Sequence, residues 1–124
     1  MNKEIIENLE KNKYLKERLL EIENSIEKDD YKEAYHKSAT MLEYINIKYI
    51  KTKFNIDMTN SSVINILDTY LHRDEILSKN MVIVNSEYND IDINDVQLFD
   101  IEYLIGIIDA MYQHMVEIVG EFIK

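Results

Sequence analysis

Residues 29–54, DDYKEAYHKSATMLEYINIKYIKTKF, contain neither glycine nor proline and open on two aspartates. Tyr31, Ala34, Tyr35, Ser38, Leu42, Ile45 and Tyr49 recur at steps of three and four. At 100° per residue they share one face of an α-helix. Acids at its start and Lys48, Lys51 and Lys53 at its end complement the helix macrodipole. Ala34, Ser38 and Ala39 are small enough to admit a neighbouring helix closely. Tyr44 and Ile47 lie off the main face, which predicts contact with a second neighbour.

Upstream, Ile5, Leu9, Asn12, Leu15, Leu19, Ile22 and Ile26 form a similar stripe, which predicts one helix over 3–28. Ile6 and Leu20 widen its edge, and Glu7, Lys11, Arg18 and Glu21 lie opposite. Asn12 is the one polar member of this heptad-like spacing, and three heptads suit a bundle helix. Downstream, residues 55–60 read as a loop. Thr59, Asn60 or Ser61 then caps a third helix carrying Val63, Ile64, Leu67, Tyr70 and Leu71. A turn at His72-Arg73-Asp74 precedes a fourth helix toward Asn85. Its Met81-Val82-Ile83-Val84 run is β-branched and suits a short strand as well, but no partner strand is in view.

Residues 86–95 are polar and turn-like, with Asp92, Asn94 or Asp95 able to cap the last helix, read over about 95–123. That helix is apolar over more than half its circumference, through Val96, Tyr103, Leu104, Ile107, Ile108, Met111, Met115, Ile118, Val119 and Phe122. Its charges are expected on one strip with Glu102, Asp109, Gln113, Glu117 and Glu121. So apolar a helix is either central to a bundle or packed on a second copy. The 124 residues include no proline and only two glycines, Gly106 and Gly120. The expected fold is therefore all-α, an up-and-down bundle of four to five helices in a single domain over 1–124.

Cysteine is absent, which excludes disulfides, zinc–thiolate sites and thiol nucleophiles. The amino-terminal stretch has no signal-peptide pattern, and no apolar run approaches the roughly 20 residues of a membrane span. A cytoplasmic protein without membrane contact is expected. Ile, Asn, Lys and Tyr supply 53 residues, a composition typical of AT-rich bacterial or phage genomes. The net charge of −10 is lopsided, since residues 55–124 carry three basic and thirteen acidic side chains. Such a surface repels phosphate backbones, so no nucleic-acid partner is expected, while a basic protein partner is.

Motifs for chemistry are sparse. His36, His72 and His114 are the three histidines, and no two are spaced as a metal pair on one helix face. Asp90-Ile-Asp92-Ile-Asn94 begins like a calcium loop, but Asp95 stands where glycine is needed and Ile101 where a bidentate glutamate is needed. Phosphate-cradling glycine loops cannot be built from two isolated glycines. No cofactor and no metal site are expected.

Residues 29–57, followed by the short segment SSVINILDTYLH and a long final helix, resemble HEPN domains, the abortive-infection-like branch among them. The resemblance covers about 29–123. Where that family places Arg, a polar residue and then His, this chain has Lys79, Asn80 and, at the histidine position, Asn85. In catalytic members the Arg and His are implied to act on the scissile phosphate. Asn cannot exchange a proton near neutral pH, and Lys lacks the planar fork of Arg. The resemblance thus implies a non-catalytic member that dimerises or binds proteins, with a role in defence or a toxin–antitoxin-like system.

Three functions follow. The first is a non-enzymatic bundle acting through protein–protein contact as a homodimer. The second is an acidic inhibitor, immunity protein or antitoxin that binds a basic nuclease. The third is a residual enzyme or small-ligand binder using Tyr35, His36, Lys79, Asn80 and Asn85, which requires a polar pocket between helices.

Overall fold

The structure, a computed structural model, describes residues 2–55 and 92–119. Among them are four α-helices and no strand: α1 (Lys3–Leu9), α2 (Lys13–Glu27), α3 (Tyr31–Phe54) and α4 (Leu98–Val119), with a 3-10 turn at Ile93–Asp95 before α4. All-α architecture holds throughout these residues. The readings for residues 56–91, including the third and fourth helices and the Met81–Val84 question, lie outside them.

The expected single helix over 3–28 is two helices. Glu10 keeps helical angles, but Asn12 is extended at φ −106°, ψ 126°. Its side-chain oxygen accepts from the Leu15 backbone N–H at 2.9 Å, the geometry of an N-cap. The stripe survives the break because Lys11 and Asn12 N–H groups donate to the carbonyls of Asn8 and Leu9, so the link still advances in short helical steps. Leu9, Asn12, Leu15, Leu19 and Ile22 are all buried on one line. Leu20, expected at the stripe's edge, stays half-exposed.

Between α2 and α3 the chain reverses through a Schellman turn. The Asp30 N–H donates to the Ser25 carbonyl and the Asp29 N–H to that of Ile26. Asp29 occupies the left-handed region at φ 58°, where a chain so poor in glycine uses a short polar residue instead. Asp30 then caps α3, accepting from the Glu33 N–H at 3.2 Å. The helix ends at Asn55, also left-handed at φ 57°, after Lys51 and Lys53 in its last turn. Both ends of α3 therefore match the sequence reading.

α3 packs against both α2 and α4, while α1 lies on α4 and touches α2. The predicted face of α3 forms the centre: Ala34, Tyr35, Ser38, Leu42, Ile45 and Tyr49 are buried, joined by Met41 and Asn46. α4 answers with Ile101, Leu104, Ile108, Met111 and Met115, and its Ile105 and Tyr112 complete the core. Among the described helices α4 packs on α3 and α1. Its start is fixed by Asp100, which accepts from the Gln97 N–H at 2.9 Å, and Asp92 caps only the preceding 3-10 turn. No helix among the described residues is long and apolar enough to cross a membrane.

Candidate functional site

Of the five residues singled out for a ligand site, Tyr35 and His36 are described and Lys79, Asn80 and Asn85 lie outside the described residues. Consecutive positions on α3 point about 100° apart. Tyr35 is accordingly 3% exposed within the core, while His36 is exposed. The fold does not bring these two side chains into one pocket.

His36 instead borders a shallow groove of about 270 Å³ between α2 and α3, with Tyr14, Arg18, Lys37 and Thr40. Beside that groove lies an aromatic stack. Tyr14 of α2 and Tyr44 of α3 lie with ring centroids 3.8 Å apart. Arg18 covers the outer face of the pair from the Tyr14 side at 5.2 Å, and Lys48 approaches Tyr44 at 5.7 Å. Tyr44 is the second-neighbour contact that its off-face position implied. Burial, and then the neighbouring Tyr14 hydroxyl, push its phenol above the ordinary value of 10.0. Arg18 pairs with Glu21 at 3.4 Å and Lys37 with Glu33 at 3.9 Å, so the cations here already have local counter-charges. This surface fastens α2 to α3, and the Thr40 hydroxyl donates to the His36 main-chain carbonyl at 3.0 Å.

The outer face of α4 is different. Phe99 is 68% exposed and Tyr103 is 48% exposed. They are one turn apart, and Gly106 and Ala110 continue the same line along the helix. A Cβ built on Gly106 meets nothing within 4 Å. The face therefore presents two aromatic rings beside a stretch where the helix backbone itself is accessible. No other helix among the described residues covers it.

A third feature flanks that face further along the same helix. Asp109, expected in a solvent-facing charged strip, is only 7% exposed. Its Oδ1 accepts from Asn8 Nδ2 of α1 at 2.6 Å, and its Oδ2 accepts from Gln113 Nε2 at 2.8 Å. α1 leans on α4 here, which carries Asp109 out of water. A cavity of about 460 Å³ opens beside it, bounded by Glu4, Glu7, Asn8 and Lys11 on one side and Asp109 and Gln113 on the other. The available signal was local: Ile105, Ile108 and Tyr112, all apolar, surround Asp109 at helical spacing. Asn8, its donor, carries no such signal in the sequence.

Among the described residues no group of three or more His, Asp or Glu side chains is placed to hold a metal ion. Comparison with protein-family models, with curated proteins and with solved structures returned no match.

Proposed function

We propose that this chain is a non-catalytic, HEPN-like helical bundle that works by protein–protein contact, forming a homodimer through the outer face of α4. The observation that carries the reading is the exposure of Phe99 (68%) and Tyr103 (48%) on one line with Gly106. Two large aromatic rings side by side on a helix are anchor residues of the kind that dominate interfaces. The bare backbone at Gly106 lets a second helix approach closely. A second copy of α4, related by a two-fold axis, supplies the same rings and the same gap to its partner. Lys79 and Asn85 at the positions of the family's reactive Arg and His favour contact over catalysis. A place in defence or a toxin–antitoxin-like system follows from the resemblance, as does a bacterial or phage origin from the composition.

Size-exclusion chromatography with light scattering tests the dimer. The parent chain is expected to double its mass as concentration rises into the micromolar range, and Phe99→Glu with Tyr103→Glu to return it to monomer with its helical circular dichroism unchanged. A parent chain that stays monomeric at high micromolar concentration overturns the reading.

A further inference from the structure

The cavity between α1 and α4 has a chemical character set by one buried group. Both Asp109 oxygens accept from neutral carboxamides, Asn8 at 2.6 Å and Gln113 at 2.8 Å. A carboxylate has no proton to donate, so each carboxamide must turn its NH₂ toward Asp109. Asn8 Oδ1 takes the Lys11 ammonium at 3.5 Å, and Gln113 Oε1 is the other carboxamide oxygen beside Asp109. Glu4 and Glu7 add two exposed carboxylates to its rim. Ile5 and Lys11 complete a lining in which carboxylates outnumber cations.

Charge is unbalanced in the same direction. Three carboxylates line the cavity against one ammonium, and Lys11 Nζ is held 3.5 Å from Asn8 Oδ1 rather than on Asp109. Asp109, at 7% exposure, makes no ion pair among the described residues. A buried carboxylate without a counter-cation is costly, and a cation seated against it recovers much of that cost. No acid or imidazole cluster here is placed for a metal ion. The matching guest is one with several N–H donors and a positive charge. The volume, about 460 Å³, lies within the ordinary range for small-ligand sites.

We propose that this cavity binds one organic cation, an alkylammonium or guanidinium group, seated on the Asp109 carboxylate. Asp109 and Gln113 flank the Gly106 end of the Phe99–Tyr103 line on α4, so the titrations are repeated on the Phe99→Glu, Tyr103→Glu chain to separate this site from the dimer. The group reaches it either on a free small molecule or on a Lys or Arg side chain of a basic polypeptide.

The test titrates the whole chain by calorimetry at low salt with agmatine, with spermidine, with acetyl-Gly-Arg-Gly-amide and with magnesium chloride. NMR follows the side-chain NH₂ signals of Asn8 and Gln113 in parallel. One-to-one saturable binding is expected, with both NH₂ signals shifting. Asp109→Asn should weaken it at least tenfold, and Glu4→Gln with Glu7→Gln about threefold or more. Lys11→Met should tighten it, because the internal ammonium competes with the guest; a purely structural role for Asp109 has no such effect. Binding of the free amines points to a small-molecule guest, whereas binding of the peptide alone points to a side chain of a basic partner. Both outcomes support the site. No saturable binding of any organic cation overturns it, as does binding that these substitutions leave unchanged, or an equal response to magnesium. Should Asp109→Asn fail to fold, the exposed Glu4 and Glu7 pair and Lys11→Met decide the matter.

Discussion

Asn12 distinguishes two ways of building the amino-terminal segment. If 3–28 were one helix, Asn12 would be a polar defect in an apolar stripe, and Leu would improve it. In the structure it is an N-cap, 1% exposed, whose oxygen takes the Leu15 N–H at 2.9 Å. Asn12→Ala removes a cap that contributes about 1 kcal/mol. It also strands the Leu15 N–H in the interior, where an unmet donor costs about 1–3 kcal/mol. These describe the same bond from its two ends, so they are not summed. Asn12 Nδ2 is itself buried without a hydrogen-bond partner among the described residues, and its removal offsets part of the loss. The net expectation is a loss of about 1–2 kcal/mol, or roughly 3–10 °C in Tm for a domain of this size. Asn12→Ser keeps a capping oxygen and should lose less than Asn12→Ala. Asn12→Leu loses the cap and forces a branched side chain into an extended position shaped for Asn, so it should melt lowest. Thermal and urea melts followed by circular dichroism read all three. An Asn12→Leu variant that melts above the parent would refute the capped break and restore the continuous helix.

Gly106→Ala adds a methyl where the monomer has open space, so it should stabilise the isolated helix by about 0.5–1 kcal/mol. The same methyl stands in the proposed interface, so Tm at low concentration should rise while the light-scattering mass at high concentration falls. Tyr44 has a phenol raised first by burial and then by Tyr14, so the folded state holds its proton more tightly than the unfolded chain. As pH rises past about 10 the unfolded chain deprotonates first, and the Tyr44 contribution to stability, complete below that point, is lost as pH climbs through the folded value. Ultraviolet titration of the phenolates should show a late-ionising component that Tyr44→Phe removes, and Tyr14→Phe should move that component back only part of the way, because burial is the larger cause.

Much of this arrangement is written in local chemistry. The α3 helix has an Asp at its start, lysines at its end and an uninterrupted face, and each acts within one turn of its own position. Periodicity misled at Asn12 because the link between α1 and α2 advances in short helical steps and preserves the three–four spacing across the break. The preference of Asn for caps over helix interiors was the better guide there. Asp109 shows a different limit. Its burial depends on α1, a segment about a hundred positions away in the chain, and no helical wheel of α4 alone reveals what will lie on top of it. The same holds for Tyr103, which belongs to the apolar arc by spacing yet stays half-exposed, since no neighbouring helix among the described residues covers that side.

The hydrogen bond from Asn8 to Asp109 joins residues 101 positions apart. During synthesis at about 5–20 residues per second, α1 is made roughly 5–20 s before its seat on α4 exists. The α2–α3 hairpin, whose halves adjoin in the chain, can close long before that. Over this interval Ile5, Ile6 and Leu9 form a greasy tab that only α2 touches. A newborn chain of this kind is open to chaperone capture or to tangling with its neighbours on the same messenger, until the final helix emerges and closes over it.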